Sequence, residues 1–145
     1  MVIKCKKKTN NCDPLVLPRD PSKIMCESNF VCSCEWYTID SDLSGYNITI
    51  GKKYTVNGCL IFSNQIRYLI SDDNNIPGFF PYDLFEIIES YIVYDWEINI
   101  YEINSKKLVV LGCSDLFSKY DYLIDLVDND PKAIKKYLDS IVNEY

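Results

Sequence analysis

A chain of 145 residues is long enough for one domain with its own core, and a composition of 48% hydrophobic, 25% charged and 14% aromatic residues excludes extensive disorder. Its 21 acidic residues outnumber 15 Lys and Arg, so the net charge of −6 opposes attraction to nucleic acid, unless one face is locally basic, and favours a basic protein partner. Histidine is absent, which removes the commonest general base, the Ser-His and Cys-His nucleophile systems and most catalytic zinc sites.

The opening MVIKCKKKTNNC has charge but no apolar segment of a secretory leader, and no run of about 18 apolar residues follows it. The expectation is a cytoplasmic protein without a membrane span, its seven cysteines being thiols rather than a disulfide framework. Val2–Lys8 reads as a strand; Lys4, Lys6, Lys7 and Lys8 mark either a charged edge or the start of a basic surface. Residues 9–30 hold Pro14, Pro18 and Pro21, which exclude a regular helix or a central strand. They read as an irregular excursion packed by Leu15, Val16, Leu17 and Ile24. Val31–Ile39 is β-like, and SDLSG breaks it.

In YNITIGKKYTVNGCLIF, Ile48, Ile50, Tyr54, Val56 and Leu60 fall mainly on one parity. Ser63-Asn64 then turns the chain into QIRYLISDD, where Ile66, Tyr68 and Ile70 alternate with Gln65, Arg67 and Leu69. Asp72-Asp73-Asn74-Asn75 is a turn signal. IPGFF and LFEII, separated at Pro81, read as two further short strands, because proline gives no N–H to a sheet ladder. Trp96–Ile103 alternates Trp96, Ile98 and Ile100 against Glu97, Asn99 and Tyr101, the pattern of a half-buried strand, and Asn104-Ser105 joins it to the strand Lys106–Cys113.

After Cys113 the period changes. From Ser114, a candidate N-cap, Leu116, Tyr120, Leu123, Ile124 and Val127 share one helical face, with Asp121, Asp125 and Asp128 as a stripe beside it. Asp130-Pro131 pairs a capping residue with proline at the first helical position, and Ile134, Leu138, Ile141, Val142 and Tyr145 recur at helical spacing. Strands first and helices last argue an α+β fold. The chain reads as a single domain over 1–145, a mainly β barrel over 1–113 and two helices over 114–145.

Two stretches carry a resemblance. Ile50-Gly51-Lys52-Lys53-Tyr54-Thr55-Val56 and Gly78-Phe79-Phe80-Pro81-Tyr82-Asp83-Leu84-Phe85 resemble corners of an SH3-like small β-barrel, the second implying one tight turn over Tyr82–Leu84. The pattern from Ile50 to Glu86, about a quarter of the chain, is similar to a group of small Firmicute proteins, several of which look like immunity proteins of bacterial toxin systems. Of the groove that binds polyproline in SH3 domains only Pro81 is carried over: Leu84 stands where a tyrosine would be, and QIRYLI has no tryptophan. The resemblance implies a protein that neutralises a cognate toxin by stoichiometric occlusion; the alternative is an SH3-like adaptor or regulatory module without catalysis.

Few residues suggest chemistry. Cys5, Cys12, Cys26, Cys32 and Cys34 read as zinc ligands, at looser spacing than a zinc knuckle, as inert thiols or as redox thiols; Cys59 and Cys113 lie in apolar strands and read as core. Asp72 and Asp73 suit a turn better than a two-carboxylate mechanism, and no glycine-rich phosphate loop is present. The expectation is therefore no enzyme, no cofactor, no metal, and neither nucleic acid nor membrane as partner. What remains is an acidic surface, Asp72, Asp73, Asp83 and Glu86 near the barrel turn with Asp121, Asp125 and Asp128 on the helix. It reads as a solvated face or as the surface that meets a basic toxin domain.

Overall fold

A computed structural model describes residues 1–7, 15–18, 36–39, 46–92, 95–113, 117 and 119–142. The strands are β1 (Val2–Cys5), β2 (Leu15–Pro18), β3 (Trp36–Ile39), β4 (Lys53–Thr55), β5 (Gly58–Phe62), β6 (Gln65–Ser71), β7 (Pro77–Pro81), β8 (Phe85–Glu89), β9 (Trp96–Ile103) and β10 (Lys106–Cys113). A single 3-10 turn, Tyr82–Leu84, separates β7 from β8, and the helices α1 (Tyr120–Val127) and α2 (Pro131–Val142) follow. The fold is α+β, with antiparallel sheets ordered β4-β1-β8, β7-β6-β5-β10-β9 and β2-β3.

The five-stranded sheet is the middle layer. One face, carrying Leu60, Phe62, Leu69, Phe79, Ile103, Leu108 and Val110, packs against Phe117, Tyr120, Leu123 and Ile124 and against Ala133 and Tyr137 of α2. The opposite face, at its β6–β7 end, packs Tyr68, Ile70 and Phe80 against Ile3, Cys5, Tyr54 and Phe85 of the three-stranded sheet. β6 therefore lies between two cores, and Arg67 to Ile70 are all buried. The strands do not close into the small barrel that their spacing suggests. The edge of β5 away from β6 is taken by β10 rather than by a strand of the three-stranded sheet, so pairing runs on to β9 and stays open.

Short-range chemistry explains the joints. Ser63 and Asn64 (φ 49° and 63°) and Asn104 and Ser105 (φ 49° and 64°) adopt the left-handed pairs that match the twist of two-residue hairpins. At Pro81 the ladder ends and the 3-10 turn redirects the chain into β8, as the GFFPYDLF motif suggested. Asp130 caps α2: its Oδ1 accepts from the N–H groups of Lys132 (2.9 Å) and Ala133 (3.0 Å). Asp130→Ala should lower stability by about 1 kcal/mol, seen as a lower urea midpoint at unchanged m-value.

Several expectations need correction. β1 is the central strand of its sheet, between β4 and β8, not a charged edge. Leu15–Pro18, placed in the irregular excursion, is a strand, tolerated because its two-stranded ribbon asks no ladder bond on both sides; Leu17 is fully buried. The rest of 9–30, with Ile24, and residues 31–35 lie outside the described residues. Ile50 is exposed because residues 50–51 turn, with Gly51 at φ 85°, before β4 begins. In β9 Ile103 is buried and Asn99 and Tyr101 are half-buried, because the helices cover the face that carries the odd-numbered residues; of Trp96, Ile98 and Ile100 only Trp96 is half-buried, against the core of the three-stranded sheet. Tyr101 donates to the Phe117 carbonyl (3.0 Å) and stands edge-on to Tyr120. α1 begins at Tyr120 with Lys119 at its N-cap; Ser114, Leu116 and Tyr145 lie outside the described residues. In α2 the deepest residue is Tyr137, whose hydroxyl accepts from Asn57 Nδ2 (2.7 Å), whereas Val142 is exposed.

Candidate functional site

Seven of the 21 acidic residues are candidates for a partner surface, and the fold places them in different layers. Asp72 and Asp73 occupy the β6–β7 turn. Asp72 Oδ1 accepts from the N–H groups of Asn74 (2.8 Å) and Ile76 (2.9 Å), while Asn47 Nδ2 donates to Oδ2 at 3.4 Å, so this side chain builds the turn itself. Asp73 reaches across to the loop before β4. Its Oδ1 accepts from Lys52 Nζ (2.6 Å) and the Tyr54 hydroxyl (2.8 Å), and its Oδ2 from the Thr49 hydroxyl (2.6 Å). Asp83 pairs with Lys7 at 2.8 Å and Glu86 with Lys4 at 2.5 Å. Two of the lysines that suggested a basic surface are thus paired with acids of the 3-10 turn and β8.

These contacts set the local titration. The Lys52 ammonium, then the Thr49 and Tyr54 hydroxyls, hold the Asp73 carboxyl down at about 2, and Lys4 lowers Glu86. A lowered folded pKa contributes stability that is complete above the ordinary carboxylate value and is lost as pH falls through the folded value. Asp73 should titrate by carboxyl NMR with a midpoint near 2, and Asp73→Asn should remove its share of the stability loss between about pH 4 and pH 2. A midpoint in the ordinary carboxylate range would show that the Lys52–Thr49–Tyr54 cradle does not hold in solution.

Asp121, Asp125 and Asp128 lie on one side of α1, Asp121 and Asp128 exposed and Asp125 half-buried. Among the described residues no salt bridge reaches Asp121 or Asp128, and the last turn of α1 has no basic residue. The helix covers the face of the middle sheet opposite to the one covered by β4-β1-β8. The fold therefore does not gather the seven acids into one patch: four are tied into the strand layers, and the stripe on α1 stands apart.

A surface that sequence reasoning missed lies on the uncovered half of the middle sheet. Cross-strand pairing aligns Ile66, Ile61, Val109 and Ile100 in one row and Cys59, Leu111 and Ile98 in the next. The three-stranded layer reaches Cys59, which packs partly against its core, but stops short of the β9 end of these rows, leaving Ile98 64% and Ile100 62% exposed, with Ile61 and Ile66 also open to solvent. The alternation in WEINIYEI was the available signal; it defines two faces but not which one is covered.

Two of the described thiols are held unreactive. Burial pushes the Cys59 thiol up to about 11, and buried Cys5 donates its S–H to the Lys7 carbonyl at 3.3 Å. Among the described residues no three His, Cys, Asp or Glu side chains converge to hold a metal; Cys12, Cys26, Cys32 and Cys34 lie outside them. No helix among the described residues is long and apolar enough to cross a membrane. Comparison with protein-family models, curated proteins and solved structures gave no match.

Proposed function

We propose that this chain is an immunity-type protein, which neutralises a cognate toxin domain by stoichiometric binding rather than by catalysis. The observation that carries this reading is the acidic stripe of α1. The strand-layer acids are engaged in ion pairs and turn bonds, whereas Asp121 and Asp128 are exposed and meet no cation among the described residues, on a chain of net charge −6. Such a face raises the encounter rate with a basic partner and repels nucleic acid. A reading as an SH3-like adaptor is supported by a different observation. β4 leads directly into β5, β1 lies between β4 and β8, and a 3-10 turn after Pro81 joins β7 to β8, the corner implied by the GFFPYDLF resemblance. That reading shares the fold proposal, an SH3-like unit extended by β9, β10 and the helices, and differs in partner.

Affinity purification of the chain from its native cells at moderate salt, with co-purifying proteins quantified, separates the two. One basic toxin-like domain at equal stoichiometry, released when Asp121 and Asp128 are reversed to lysine, supports the immunity role. A varied set of endogenous proteins moves the assignment to an adaptor.

A further inference from the structure

β9 is the outermost strand of the middle sheet, eight residues long, with β10 on one side and no strand on the other among the described residues. Proteins usually shorten such an edge, interrupt it with proline or cover it, because its free N–H and C=O groups are a template for another strand. In the two-residue hairpin, Ile103 and Lys106 flank the turn and exchange backbone bonds. Residues 97, 99, 101 and 103 therefore direct their backbone groups at β10. Those of Trp96, Ile98, Ile100 and Glu102 point to the open edge, and this same set carries the two exposed isoleucines. At the middle of the strand, Asn99 Nδ2 is buried without a hydrogen-bond partner, a costly state for a donor.

We propose that this edge is a homodimer interface, with β9 of two copies paired antiparallel about a twofold axis at Asn99. The occupant follows from the strand's self-complementarity. Residues directly opposite in an antiparallel pair share a face, so the register must align odd with odd and even with even. With the axis at Asn99, Ile98 faces the partner's Ile100, Trp96 faces the partner's Glu102, Glu97 faces the partner's Tyr101, and Asn99 lies opposite the partner's Asn99, whose amide oxygen its donor reaches once the side chain turns from the protomer's interior toward the edge. No glutamate meets a glutamate, and Lys107 already holds Glu102 at 3.2 Å. Moving the register two residues one way sets Ile98 against a glutamate; two residues the other way leaves only residues 96–100 of the strand in the ladder. The pairing extends the sheet at its edge and sets the isoleucines side by side, so that each shields a flank of the other next to the rows that the three-stranded layer leaves open.

Sedimentation equilibrium on the full chain tests this. The expected mass rises with concentration toward twice 16.9 kDa, and the association tightens with salt, because screening relieves repulsion between two chains of charge −6. Ile100→Pro deletes an N–H that points away from β10, so the protomer keeps its fold while the dissociation constant should rise about 100-fold. Ile98→Lys, which places a charge against the apolar pair, should do the same and decides the matter if the proline variant fails to fold by circular dichroism. A wild-type chain that stays monomeric up to about 1 mM overturns the proposal. So does a folded variant of either kind that dimerises as tightly as wild type.

Discussion

Arg67→Ala should lower stability by about 3–5 kcal/mol, a large part of what a small domain possesses. The guanidinium is fully buried on the helix-facing side of β6, beneath the larger core. Its Nε and Nη2 donate to Gln65 Oε1 at 3.2 and 2.9 Å, and its Nη1 donates to the Phe79 carbonyl at 3.3 Å. Truncation removes these donors, takes the buried Phe79 carbonyl's side-chain donor away and opens a cavity, and the losses add. Arg67→Met keeps most of the aliphatic stem and should recover part of the cavity term, so urea unfolding should rank wild type, Met, then Ala. A loss below about 1 kcal/mol for Arg67→Ala would mean that water replaces the guanidinium, and that this side of β6 is not sealed by the helical layer.

Gly112→Ala is the second large effect, arising from overpacking rather than loss. Gly112 of β10 stands opposite Gly58 of β5, and the absence of both side chains leaves room for the ring of Phe117. A Cβ on Gly112 would lie 2.3 and 2.5 Å from two carbons of that ring and 3.2 Å from the Asn57 carbonyl oxygen. Phe117 is buried against Phe79 and the start of α1, so the ring has no free direction, and a cost of about 2–4 kcal/mol is expected. The cause is testable by a cycle. In a Phe117→Leu background the added methyl finds room, so the cost of Gly112→Ala should fall and the coupling should exceed about 1 kcal/mol. Additive effects would place the strain in the β10 backbone instead.

The parts of this fold legible in sequence are those fixed within a few residues. The turns at Ser63-Asn64 and Asn104-Ser105, the break at Pro81, the capped start of α2 at Asp130-Pro131 and the order of strands before helices follow from local backbone preference and from caps that need no distant partner. The acidic residues were visible too, but their roles were not. Asp73 joins Lys52 and Tyr54, and Lys4 and Lys7 join Glu86 and Asp83, across separations that no local pattern encodes.

The same limit explains the inverted face of β9. Period-two alternation states that two faces differ; which face is covered depends on where α1 and α2 land after β10, and on how far the three-stranded sheet reaches. β1 became a central strand because β8, more than 80 residues later, returned to its side, and Arg67 became buried because both faces of β6 were covered by distant segments. Local pattern was enough for most of the strands, both helices, the tight turns and the sign of the net charge, since those are short-range properties and sums, but not for the strand Leu15–Pro18. Which layer covers which face, and so which residues remain open to a partner, follows from long-range packing, because coverage is the outcome of burying the most apolar area that the whole chain can bring together.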